Sequence, residues 1–204
     1  MKKLLLTGFV PFLDNPINPT EEIVKALEGK IIGGYKVVGK ILPVDFAESA
    51  KQCIEHFIEE KPDVVISLGL AAGRSKITPE RIAINCRDGA ADNSGVKLED
   101  SPIEEEGPAG YFSTLPIRRF VNAAIEKGYP AVISNTAGTY LCNNVMYSML
   151  HKIETEQLPV RAGFIHIPAS HELAMKKSSL PSWSQADLTS AIEAMIEVLD
   201  EEAE

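Results

Sequence analysis

The sequence predicts an α/β fold: a three-layer sandwich in which a mostly parallel, twisted central sheet is flanked by helices. Three observations carry that expectation. Short apolar runs alternate with stretches of helical period along the chain, the pattern of successive β-α-β units. The run DVVISLGL (63–70) is apolar almost throughout, as a strand covered on both faces must be. No internal repeat and no linker-like stretch interrupts the 204 residues, so one domain spanning 1–204 is expected.

Taken in order, KKLLLTGF (2–9) is a first strand. Asn18, Pro19, Thr20 and Glu21 then open a helix, with asparagine as cap and proline in the first turn. Its apolar stripe is Ile23, Ala26 and Leu27. YKVVGKILPV (35–44) is a second strand. Asp45-Phe46-Ala47-Glu48, an arrangement like a capping box, starts a helix to about Glu60 whose buried face is Phe46, Ala50, Cys53, Ile54 and Phe57. Cys53 therefore belongs to the core. DVVISLGL follows, and RIAINC (81–86) is a further strand.

Between Arg87 and Pro116 lies a long polar stretch with an acidic run and little periodicity, the pattern of a functional flap, an interface arm or a mobile segment. A helix then runs from Pro116 to Gly128. The buried strand AVIS (131–134) leads through a glycine turn into a helix holding Cys142. There Leu141, Val145 and Met149 fall on one stripe and Met146, Leu150 and Ile153 on the stripe beside it. VRAGFIHIP (160–168) makes another strand, and Ser184 caps a last helix bearing Leu188, Ile192, Met195 and Leu199.

Composition narrows function by exclusion. A formal charge of −9 leaves no basic footprint for nucleic acid or anionic lipid. No apolar run reaches membrane-span length. The N-terminal MKKLLLTGFVPFL is broken at Thr7-Gly8 and Pro11 and no small-residue cleavage site follows, so a strand and turn explain it better than a signal peptide. Three cysteines, an odd number, point to free thiols in a reducing cytoplasm. There is no paired-cysteine motif, no HExxH and no cluster with ligand spacing, and GLAAGRS lacks the dinucleotide and phosphate-loop fingerprints. Neither a metal nor another cofactor is expected.

In a parallel sheet the ligand site lies beyond the carboxyl ends of the strands. Four segments meet that condition: Gly8 to Phe12, Gly69 to Ser75, Asn135 to Cys142, and His166 to Ser170. Cys142, near a helix start, faces the positive end of the helix dipole and unpaired backbone N–H groups, a setting that suits a nucleophile. A free cysteine otherwise serves most often as a small core hydrophobe. As nucleophile it needs an imidazole, and the imidazole needs a third group to orient it. His151 lies nine residues further on the same helix, about 13 Å away and on the opposite side. His56 sits on a polar helix face. His171 remains open, but His166, at the end of FIHIP, is better placed. For the acid, Glu80 follows Pro79 at a strand boundary near the same sheet end. Asp45, Asp88 and Asp92 are its rivals, although a cap accounts for Asp45 and the turn DNSG for Asp92.

These segments resemble the pyroglutamyl peptidase I family, also called pyrrolidone-carboxylate peptidase, in blocks that cover almost the whole chain. They are LLLTGFVPF (4–12), NPT (18–20), SLGLAAGRSKITPERIAIN (67–85), DNSG (92–95), GPAGYFSTLPIR (107–118), SNTAGTYLCN (134–143) and FIHIP (164–168). The resemblance implies a catalytic triad of Glu80, Cys142 and His166, and the removal of an N-terminal pyroglutamyl residue from peptides without a cofactor. It also implies Phe9 and Phe12 as the aromatic pair around the lactam ring, with Leu70, Tyr140 and Leu141 beside them, and a homodimer or homotetramer. Many relatives carry an arginine where this chain has Ala90. Arg87 lies three residues earlier, and Cys86 in the same segment is unusual. Two rival functions stand against this reading: another cysteine-dependent amidase or esterase, and a non-catalytic small-molecule binding module on the same fold.

Overall fold

In the computed structural model, which describes residues 1–200, β1 (Lys2–Phe9) lies inside a six-stranded sheet. It leads to α1 (Pro19–Leu27), where the Asn18 side chain accepts from the Thr20 N–H as the sequence suggests. A short β2 (Ile31–Ile32) precedes β3 (Tyr35–Leu42), α2 (Glu48–Glu60) and β4 (Val64–Leu70). Next come β5 (Thr78–Pro79), β6 (Ile82–Ile84) and, after a long connection, β7 (Gly110–Phe112). The chain continues through α3 (Ile117–Glu126), α4 (Leu141–Thr155), β8 (Arg161–Ile167), β9 (Ala169–Ser170), α5 (His171–Lys176), β10 (Ser182–Trp183) and α6 (Gln185–Glu197).

The sheet order is β2-β3-β1-β4-β8-β5. The four inner strands are parallel, and β2 and β5 run antiparallel at the edges. The carboxyl ends of β1, β4 and β8 therefore open on one side of the sheet, where a ligand site is expected. Alternation along the strands feeds two cores. Leu4, Leu6, Ile66 and Ile165 pack with Ile23, Phe120 and Ile192 of α1, α3 and α6. On the opposite face Leu5, Val65 and Phe164 pack with Cys53, Phe57, Val145 and Met149 of α2 and α4. The result is the three-layer α/β arrangement that the alternating pattern predicts.

Several local expectations are corrected. AVIS forms no strand: Ala131 and Ser134 make isolated bridges to Ile77 and Glu80 outside β5, and Val132 is 46% exposed. At the sheet edge only one side of that segment is paired, so its apolar run is not a sign of burial. In α1, Ala26 faces solvent and Val24 takes its place in the core. In α2 the buried positions include Ser49, while Ala50 and Ile54 are half-buried. RIAINC shrinks to Ile82–Ile84 and pairs with β7, apart from the main sheet.

The long polar connection is held by side chains rather than by periodic structure. Asp92 is buried and accepts from the N–H groups of Phe46, Ser94 and Val96. Asn85 Oδ1 accepts from Ile103 and Glu104. Among the described residues no helix is long and apolar enough to cross a membrane.

Candidate active site

The turn before α4 places Cys142 in the first turn of that helix. Gly138 takes φ +80° there, a conformation in which a side chain would be strained. Tyr140, the N-cap, offers no side-chain acceptor. No side chain therefore caps the first-turn N–H groups of α4, and such groups at a helix start are ready to take an anion or water. Asn143 locks the helix start from behind: its Oδ1 accepts from the Ile84 N–H, and its Nδ2 donates to the carbonyls of Ile84 and Cys86.

His166 is the sixth residue of β8, opposite Gly69 of β4 in the parallel register. Its ring packs against Phe164, with centroids 4.9 Å apart. Nδ1 lies 2.7 Å from Glu80 Oε1. Glu80 is fully buried, and its N–H donates to the Phe164 carbonyl on β8, which sets the carboxylate beside the imidazole. Burial disfavours both charges, yet the partners prevail. The imidazole is raised to about 9 against its desolvation by the facing Cys142 and by Glu80. The Glu80 carboxyl is lowered against the same burial penalty, first by its hydrogen bond to His166. A histidine that stays protonated at neutral pH, between a thiol and a carboxylate, can hold and deliver a proton.

The thiol opens on a pocket of about 240 Å³, counting its mouth. Phe9, Phe12, Leu70, Tyr140 and Leu141, the residues named from the sequence, all line it together with Cys142. Asn18 and Val44 line it as well and were not foreseen. In the sequence the capping role accounts for Asn18, and Val44 reads as the end of a strand. Tyr140 donates its hydroxyl to the Ala91 carbonyl, and burial pushes its phenol up to about 12, so the wall is neutral.

Other candidates fall away from this centre. His151 Nδ1 pairs with the Tyr111 hydroxyl, and His171 Nδ1 with Ser182. Asp45 accepts from the N–H groups of Ala47 and Glu48, and Asp92 is occupied as described above. Arg87 Nη2 donates to the Pro102 carbonyl and does not line the pocket. The Cys53 thiol is buried and pushed up to about 12 by desolvation, while burial, Asp100 and Asp88 raise Cys86.

Two contributors lie in the segment Gly69 to Ser75, which the carboxyl-end rule marks, but the sequence assigns neither a role. Arg74 Nη1 lies 2.6 Å from Glu80 Oε1. Gly69 is the other, and a glycine inside an apolar strand run was the available signal of close approach. A Cβ at Gly69 would stand 2.9 Å from Cys142 Sγ and 2.6 Å from Phe164.

A thiol at a helix start, an imidazole facing it and a buried carboxylate behind, on the carboxyl side of a parallel sheet, define the class of cysteine-dependent hydrolases. The family model for pyroglutamyl peptidase matches residues 2–202. The chain belongs to that family. It is 58% identical to the pyrrolidone-carboxylate peptidase of Oceanobacillus iheyensis over 200 residues, covering 98% of this chain and all of that one. The enzyme of the same name from Halalkalibacterium halodurans is 56% identical over 96% of this chain and 98% of its own. Among solved structures, the pyrrolidone carboxyl peptidase of Thermococcus litoralis superposes with a TM-score of 0.93 at 41% identity, covering 98% of this chain and 93% of that one. Pyroglutamyl peptidase I of Bacillus amyloliquefaciens gives 0.94 at 38% identity, with 98% and 97% covered.

Proposed function

We propose that this chain is a cysteine exopeptidase that hydrolyses the bond after an N-terminal pyroglutamyl residue of peptides, with Cys142 as nucleophile, His166 as general acid and base, and Glu80 as the group that orients the imidazole. The observation that carries the reading is the line from Cys142 through His166 to Glu80, set at the mouth of an apolar pocket.

The chemistry is acyl transfer. In the resting site His166 already holds the proton of the Cys142 thiol, and the Cys142 sulfur attacks the pyroglutamyl carbonyl carbon. The tetrahedral oxyanion is held by first-turn N–H groups of α4, a contribution worth about 3 kcal/mol per donor in other hydrolases. As the C–N bond breaks, the imidazolium gives its proton to the leaving amine, and a thioester remains. Water, deprotonated by His166, then releases pyroglutamate and restores the thiol.

The pocket supports the acyl group named here. A pyroglutamyl ring is a neutral lactam with two flat apolar faces, one N–H donor and one carbonyl acceptor, and it needs aromatic or aliphatic walls rather than a charge. Phe9 and Phe12 supply those walls, and Leu70, Tyr140 and Leu141 close the pocket. The enzyme works as a single domain, without cofactor, in the cytoplasm, where its three free thiols persist. It assembles as a homodimer or homotetramer, for which exposed Phe112 and Val132 offer apolar surface.

Release of a fluorescent amine from pyroglutamyl, prolyl and glutamyl anilides tests the reading. Turnover restricted to the pyroglutamyl substrate supports it. Preference for another acyl group would make the chain a different cysteine amidase, and no turnover with any of them would favour a binding module.

A further inference from the structure

Glu80 carries more than its bond to His166. Its Oε1 also takes a hydrogen bond from Arg74 Nη1 at 2.6 Å, while the imidazole Nδ1 approaches at 2.7 Å. Arg74 is itself held at three points. Nη1 also donates to Thr78 Oγ1 at 2.5 Å, and Nη2 reaches the Thr136 carbonyl at 3.5 Å, on the turn that leads to Cys142. The guanidinium thus spans the loop after β4, the strand β5 and the entry to α4. Its side chain is 33% exposed, whereas the carboxylate that it meets is fully buried.

We propose that Arg74 is a positioning residue for the reaction: it holds the Glu80 carboxylate in place against His166 and keeps the transferred proton on the imidazole. The proposal rests on the triad reading given above. A carboxylate taken out of water is costly unless cations or donors face it. In the resting site the imidazolium meets that need. Once His166 has given its proton to the leaving amine, the imidazole is neutral, and Glu80 would be a buried anion with no cation on that side. Arg74 is always charged and covers that interval. The carboxylate then stays ionised and ready to draw the next proton onto His166, rather than being protonated itself.

The charged and titratable groups that face Glu80 are His166 from β8 and Arg74 from the loop after β4, both on Oε1, while Oε2 is buried with no hydrogen-bond partner and the Ser134 hydroxyl donates instead to the Thr136 carbonyl. Cys142 stands beyond the imidazole. Arg74 is not among the pocket-lining residues, so its effect falls on the chemical steps and not on ring binding. Loss of the guanidinium also makes Glu80 easier to protonate, because a cation beside a carboxylate favours its charged form.

The test is a mutant cycle on the full chain with a pyroglutamyl anilide, using R74Q, R74K, E80Q and the R74Q/E80Q pair. The expected result for R74Q is a kcat about tenfold or more below native, with KM within about twofold. Its acid limb should move to higher pH, and R74K should regain part of the loss. In the E80Q background, R74Q should add little, because the arginine acts through that carboxylate. Native kcat and an unmoved acid limb in R74Q would overturn the proposal, as would losses that multiply in the pair. Full activity in E80Q would sink the triad reading itself, whereas a poor E80Q beside a native-like R74Q would sink only the role given to Arg74.

Discussion

Gly69 and Cys142 approach so closely that no side chain fits between them: a Cβ on Gly69 would lie 2.9 Å from the Cys142 sulfur. The same atom would lie 2.6 Å from the Phe164 ring. Since Gly69 is paired with His166 across β4 and β8, the glycine clears the space in which thiol and imidazole meet. Gly69→Ala should destabilise the fold by about 1–3 kcal/mol, the usual cost of overpacking. It should also slow turnover out of proportion to that loss, because the thiol itself is displaced. Thermal unfolding and kcat measured on the same preparation separate the two effects.

The pH profile has a definite sign. His166 is raised to about 9, so the imidazolium that protonates the leaving amine is present at neutral pH and is lost as pH rises through about 9. The alkaline limb of kcat/KM should fall there. Glu80 raises that value, so in Glu80→Gln the limb should move to lower pH, and the rate should drop by a factor on the order of 10² to 10⁴, as for other orienting carboxylates. A rate–pH series on the two proteins measures both.

The aromatic wall should act mainly on binding. Phe12 lines the pocket and packs with Tyr140, at a centroid distance of 6.4 Å. Phe12→Ala should raise KM for a pyroglutamyl substrate about 10- to 100-fold, the equivalent of roughly 1.5–3 kcal/mol of ring burial. Labelling of Cys142 by iodoacetamide, which needs no pocket, should stay near the native rate.

Asn143 gives a stability prediction. Its side chain satisfies the Ile84 N–H and the carbonyls of Ile84 and Cys86, and it is fully buried. Asn143→Ala takes the partner from the Ile84 N–H and the Cys86 carbonyl, while the Ile84 carbonyl keeps the Cys86 N–H; each group that water cannot reach costs about 1–3 kcal/mol. Urea unfolding should show a lower midpoint with a similar slope, and Cys142 should lose reactivity as the helix start loosens.

Much of this was legible in the sequence because periodicity records burial. The runs that became β1, β4 and β8, and the stripes of α4, are apolar for the reason that they are covered, so their places and the carboxyl-end rule brought Cys142 and His166 together before any coordinates did. AVIS has the composition of a strand buried on both faces, yet it is an edge segment with one packed side, and composition does not separate the two. The two-residue strands β2, β9 and β10 and the six-residue α5 are too short to carry a period. Arg74 left no trace of its role, since a charged pair formed across a loop follows no repeat. Glu80 is one of several acids in the sequence, and what sets it apart is tertiary: β5 lies antiparallel against β8, with the chain at Glu80 still bonded to that strand.

The most direct test of the central claim is amine release from a pyroglutamyl anilide by the native chain and by Cys142→Ser, with both shown to be folded. The account predicts turnover by the native chain and a loss of at least about 10³-fold in the variant, as when other hydrolases lose their nucleophile. Equal turnover by the two proteins would contradict it and remove Cys142 from the reaction.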